Sequence, residues 1–259
     1  MPEYAPGTPS WVELSTPDPD ASAAFYEAVM DWQATEPGPP ETGGYRMFQH
    51  QGKNVGGLMG QMQEGQPTAW ATYISVDDAD ETAGKVKGAG GSVIVEPMDV
   101  TDIGRMAVFA DPTGAVFGVW QPKSFPGADL VNAPGSLCWN ECLTRDVEAD
   151  RRFYPAVFGW TAGRPSFDGA PDSYTVWQLG DTQVGGMMQI TDDMYPPEVP
   201  AHWNVCFAVA DCDATVAKAT EAGGAVVGGP IDMPIGRFAQ LTDPQGASFA
   251  IMQMGASAD

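Results

Sequence analysis

Glu13 and Glu141 each stand two residues after a tryptophan, in "WVELS" and "WNECL", and are the first candidates in this sequence for acid-base chemistry. On a strand, residues two apart share a face, so Trp11 and Glu13 project together, as do Trp139 and Glu141. A carboxylate set against an indole wall is desolvated, its pKa rises, and it becomes suited to act as a general base or to accept a substrate hydroxyl. A plainer reading pairs each glutamate with Arg105 or Arg237, the arginines of a repeated "IGR", and makes the contact purely structural.

Other chemistries lack their residues. The doubled glycines Gly56-Gly57 and Gly185-Gly186 are not followed by a helix start with Lys-Ser/Thr, so phosphate-loop and dinucleotide readings fail. No Gly-x-Ser-x-Gly elbow occurs. Tryptophans and methionines are plentiful, and Trp70, Trp120, Trp203 and Met252 join Trp11 and Trp139 as candidate walls for a flat, polycyclic ligand, with core packing as the alternative for each.

The elements that would position these groups repeat. "NVGGLMGQM" (54–62) is answered by "QVGGMMQIT" (183–191), and "YISVDDADETAGKVKGAGG" by "CFAVADCDATVAKATEAGG", so the chain reads as a duplicated domain. Within the first copy the spacing predicts strand 11–15, helix 21–30, and strands 45–49 and 55–61 around the turn "HQGKN". Next come strand 71–76, helix 80–87 ending at "GAGG", and strands 92–97, 104–110 and 115–121. "DPTG" and "DPQG" join the last two strands of each copy as tight turns. The unit is βαβββ, used four times in an α+β chain. Its two domains are expected at 1–125 and 126–259, across the Pro- and Gly-rich linker 122–136.

These stretches, with "STPDPDASAAFYEAVMDW" and "DPTGAVFGVWQ", resemble the vicinal oxygen chelate superfamily, which includes glyoxalase I, bleomycin-resistance proteins, fosfomycin-resistance enzymes and extradiol dioxygenases. More narrowly, the chain is similar to tandem actinobacterial members labelled glyoxalase-like proteins or hydroxylases. The resemblance implies two fused glyoxalase-like domains with curled mixed sheets around central cavities, and a metal held by His, Glu or Gln at fixed strand positions. Counted onto this sequence, those positions fall on Trp11 and Trp139, on Thr72 or Ala71 and Val205 or Asn204, on Gly118 and Ala250, and near Gly56-Gly57 and Gly185-Gly186. None is a usual divalent-metal ligand, and His50 and His202 lie off the slots.

The expectation is therefore that metal ligands are absent and that the chain needs no cofactor, with a divalent metal held in an unfamiliar way as the alternative. Functionally, the sequence points to a metal-independent protein binding a hydrophobic or aromatic metabolite, or to an accessory enzyme acting on one. The competing reading is a lyase, isomerase or hydroxylase-like enzyme using Glu13 or Glu141. A net charge of −22 disfavours nucleic acid and anionic membranes as partners. Cys138, Cys142, Cys206 and Cys212 have no counterparts in the first copy, which argues against a shared disulfide framework and for a reducing cytoplasm. The two copies are expected to form an intramolecular pseudo-dimer, compatible with a monomer.

Overall fold

In the computed structural model, residues 3–63, 65–165 and 173–255 are described. The first module runs β1 (Pro9–Thr16), α1 (Pro19–Met30), β2 (Gln33–Ala34), β3 (Arg46–His50) and β4 (Lys53–Gly60). The second runs β5 (Ala69–Ser75), α2 (Ala79–Gly88), β6 (Ser92–Val100), β7 (Gly104–Ala110) and β8 (Val116–Pro122). The third comprises β9 (Ser136–Thr144), α3 (Val147–Phe158), β10 (Thr161–Gly163), β11 (Thr175–Leu179) and β12 (Thr182–Gln189). The fourth comprises β13 (His202–Ala208), α4 (Cys212–Glu221), β14 (Ala225–Met233), β15 (Gly236–Thr242) and β16 (Ser248–Met254). The strands form two eight-stranded sheets, ordered β2-β3-β4-β1-β5-β8-β7-β6 and β10-β11-β12-β9-β13-β16-β15-β14. The expected α+β fold of four βαβββ modules is what forms.

Each helix starts where the sequence supplies an aspartate able to accept an orphan amide of the first turn. Asp18, Asp78, Asp146 and Asp211 accept from Ala21, Glu81, Ala149 and Ala214 at 3.0, 2.9, 3.0 and 2.9 Å. α3 stops at Gly159 in a left-handed conformation that glycine adopts without strain. The turns "DPTG" and "DPQG" are held from inside by their aspartates. Asp111 Oδ1 accepts from the amides of Thr113 and Ala115, and Asp243 Oδ1 from those of Gln245 and Ala247.

Two compact units are present, and each draws one module from either half of the chain. One contains the described residues of 1–10, 72–127 and 140–204; the other contains those of 11–71, 128–139 and 205–259. In the second unit the core gathers on Tyr26 of α1, which stacks on Trp32 and meets Phe48, Trp70 and Phe249. In the first unit it gathers on Tyr154 of α3, stacked on Trp160 and flanked by Trp177, Trp203 and Phe117. The repeated "FY" and the tryptophan six residues after its tyrosine thus build the cores. Burying such rings removes large apolar areas from water.

Candidate functional site

The Trp-x-Glu pairs are placed by β1 and β9, each running parallel to the strand that carries a double glycine. Glu13 lies opposite Gly57 on β4, and Glu141 opposite Gly186 on β12. Trp11 is buried, and its indole Nε1 donates to the Tyr45 hydroxyl at 2.9 Å. Gly57 makes this possible: a Cβ there would overlap the Tyr45 hydroxyl and sit 3.1 Å from Trp11 Nε1. The "VGG" glycine is a floor beneath an aromatic pair, which is the close approach that a glycine permits.

Glu141 is partly buried in the first unit. The Tyr174 hydroxyl donates to it, while burial raises its pKa above the ordinary carboxylate value, with the Tyr174 bond opposing the rise. Burial and the nearby Glu141 charge push the Tyr195 phenol upward as well. This is a carboxylate bonded to one phenol and close enough to a second for its charge to be felt, an arrangement that can accept or pass on a proton. Tyr195 was missed in the sequence because it stands in an irregular Pro-rich stretch with no strand period to orient it.

The remaining candidates fall in four kinds of place. Trp139 lies partly buried beside Cys138, Cys206, Phe238 and Met252 in an apolar cluster of the second unit. Trp70 and Trp203 are packed in the cores, their indole N–H groups donating to the Tyr26 and Tyr154 hydroxyls at 2.8 and 3.1 Å. Trp120 donates to the Phe125 carbonyl at 2.7 Å and covers Gly104. Arg105 pairs with Asp80 and Asp99, and Arg237 with Asp213 and Asp232. The arginines serve helix-to-strand ion pairs at the surface.

The superfamily's metal slots do not fit a metal in this chain. The Trp11 indole, a donor only, is committed to Tyr45, and the space a side chain would need at Gly118 is filled by the Tyr73 ring. Thr72 donates to Asn140 Oδ1 at 2.7 Å, and Ala250 is buried. The broader expectation that metal ligands are absent needs correction, because a possible donor set lies elsewhere. Asp111, Cys142 and Asp150, all buried, bring ligand atoms within 4.8 Å of one another. The Asp150 carboxyl is pushed up to about 7 by burial and by the Asp111 charge, and burial carries the Cys142 thiol well above its usual value. The signal for this cluster was Asp150 itself, an acid on the apolar side of an amphipathic helix, four residues before Tyr154.

Of two open grooves, of about 520 and 270 Å³, neither is lined by Glu13 or Glu141. The larger is lined by Tyr4, Pro6, Pro122 and Pro126, and the smaller lies at the start of α3 beside Arg145 and Arg151.

Residues 8–119 match the Glyoxalase/Bleomycin resistance protein/Dioxygenase superfamily, and residues 137–252 match the Glyoxalase-like domain. The chain belongs to this superfamily. Among its relatives, the anthracycline biosynthesis protein DnrV of Streptomyces peucetius is 42% identical over 270 residues, covering 98% of this chain and 96% of that protein. CFP32 of Mycobacterium tuberculosis, a glyoxylase by name, is 43% identical over 256 residues, covering 97% and 96%. The fold is shared with the Mn(II)-bound glyoxalase of Novosphingobium aromaticivorans, at a TM-score of 0.66 and 17% identity over 96% of this chain and 82% of that one. Among the described residues no helix is long and apolar enough to cross a membrane.

Proposed function

We propose that this superfamily member binds a hydrophobic, polycyclic aromatic metabolite without a metal at the superfamily's slots, as a binding protein or as an accessory enzyme in its processing. Residues 1–125 and 126–259 would be its two domains, and a reducing cytoplasm its compartment. The observation that carries the reading is the Trp11-Tyr45 pair over Gly57, two hydrogen-bonded aromatic rings at a position where the resemblance implies a metal ligand. Trp139 and Met252 supply a second apolar face. The printed name of DnrV, which ties that protein to anthracycline biosynthesis, supports an aromatic ligand class.

Titration of the purified chain with polycyclic quinones, followed by tryptophan fluorescence and thermal shift with and without chelator, tests it. Saturable quenching and stabilisation that survive the chelator are expected. A response that needs added divalent metal would sink the metal-free reading.

A second reading, an enzyme, is favoured by one observation: Glu141, raised by burial and bonded to Tyr174, is suited to be a general base. Turnover lost in Glu141→Gln with ligand affinity retained would select it.

A further inference from the structure

Both compact units bury the same chain of polar groups, and one unit adds two acids to it. In the unit around Tyr26, the tyrosine hydroxyl donates to Asp243 Oδ2 at 3.4 Å and accepts from Trp70. In the unit around Tyr154, the hydroxyl donates to Asp111 Oδ2 at 2.7 Å and accepts from Trp203. Aligning "WVELSTPD" with "WNECLTRD" sets Leu14 against Cys142, and continuing to the two tyrosines sets Ser22 against Asp150. Leu14 packs in the core and Ser22 hydrogen-bonds Thr16 at 2.9 Å, so this arrangement of tyrosine, aspartate and tryptophan forms without any further acid.

Cys142 and Asp150 are therefore additions that the fold does not require. Asp150 is fully buried; its carboxylate is bonded by the Thr144 hydroxyl and, at Oδ2, by Thr113 at 3.5 Å, while Oδ1 has no hydrogen-bond partner, and burying an unsatisfied carboxylate oxygen is costly in a protein interior. Among the described residues no Lys or Arg pairs with Asp111 or Asp150. Cys142 Sγ lies 3.9 Å from Asp111 Oδ2 and 3.7 Å from the Tyr154 hydroxyl.

We propose that Asp111, Cys142 and Asp150 form a structural zinc site inside the unit built around Tyr154. One sulfur and two carboxylate oxygens, each from a different residue, match the borderline softness of zinc better than that of magnesium or calcium, which take oxygen alone. The Tyr154 hydroxyl, 2.7 Å from Asp111 Oδ2 and 3.7 Å from Cys142 Sγ, would be at hand as a further oxygen donor. On binding, the Cys142 thiol gives its proton to solvent, and the ion's two positive charges offset the acids that the core otherwise holds against one another. Because the three donors are fully buried, the ion is taken up as the chain folds. The site is separate from the Trp-x-Glu faces, and it stands or falls independently of the ligand proposed for them.

The test is to unfold the whole chain under reductant, refold it with one equivalent of zinc or of cobalt(II), pass it through a chelating column, and measure retained metal. The expected result is one ion per chain, with a thiolate-to-cobalt charge-transfer absorption in the cobalt form. Cys142→Leu and Asp150→Ser each install the residue found at the matching place in the other unit; they should fold and retain less than a tenth as much metal. Glu141→Gln and Cys138→Ser should retain it fully. The proposal is overturned if refolded wild type keeps no metal, if the cobalt form shows no thiolate band, or if the band survives Cys142→Leu and disappears with Cys138→Ser.

Discussion

The surroundings of Tyr26 and Tyr154 show how far one sequence pattern can be reused. Tyr26 stacks on Trp32 with ring centres 5.6 Å apart and planes 20° from parallel; Tyr154 stacks on Trp160 at 5.4 Å and 19°. Trp70 and Trp203 meet the two tyrosines edge-on at 5.3 and 5.6 Å. The aromatic frame is the same, yet the groups beneath it are not: Leu14 and Ser22 in one unit, Cys142 and Asp150 in the other. The frame evidently supplies the packing, and that leaves the polar content of the pocket under each tyrosine free to diverge.

The largest effects should fall on the shared frame. Trp32→Ala and Trp160→Ala are each expected to cost about 3–5 kcal/mol in denaturant unfolding, by lost burial and the cavity left behind. A much greater loss from one than from the other would break the equivalence of the units.

Exchanging the divergent residues sharpens the comparison. In the presence of chelator, Asp150→Ser is expected to stabilise the chain by about 1–3 kcal/mol at pH 8, and Ser22→Asp to destabilise it similarly, because a buried carboxylate that only neutral hydroxyls bond, with no cation paired to it, is removed or created. The sign with pH follows from the raised Asp150 carboxyl at about 7. Between the ordinary carboxylate range and pH 7 the folded chain holds a proton that the unfolded chain has lost, so this contribution to stability falls as pH rises across that window. Asp150→Ser should remove that slope, and the gap between variant and wild type should close toward pH 5. Unfolding curves that stay parallel across the window would refute the assignment.

Smaller differences should appear at the strand positions that line up between the repeats. Gly118→Ala must displace the Tyr73 ring and is expected to cost about 1–3 kcal/mol, whereas Ala250→Gly should cost about 1–2 kcal/mol through chain entropy and the lost burial of its methyl. Smallest of all, Arg105→Ala and Arg237→Ala should each leave the melting temperature nearly unchanged, since their ion pairs are solvent-screened. Thermal melts at low and high salt read both.

Much of this arrangement was legible because the chain announces its elements chemically. The helix expected over 80–87 forms as Ala79–Gly88, since Asp78 caps its start and "GAGG" ends it. The strand expected over 104–110 forms over those residues. β2 and β10, two and three residues long, were not located, because a period of two cannot be seen in so short a run. Alternation also shows which residues share a face without showing which face is the core, so Trp70 and Trp203 were as eligible for a ligand wall as Trp11. Asp111 comes from a strand end in the second module, and Cys142 and Asp150 from a strand and a helix of the third. Only the folded chain brings them together.

The way the modules combine bears on how the protein is made. The unit around Tyr154 is complete once residue 204 has emerged from the ribosome, whereas the unit around Tyr26 contains β1 from the start of the chain and β13 through β16 from its end. At synthesis rates of ~5–20 residues per second, α1 and its apolar face must wait on the order of 10–45 seconds for their partners. The N-terminal quarter is thus the last part to be secured, and during translation its exposed Phe25 and Tyr26 face is where chaperones or misassembly would act first. A chain severed in the 122–136 linker would give two fragments, neither of which holds the segments of a complete unit.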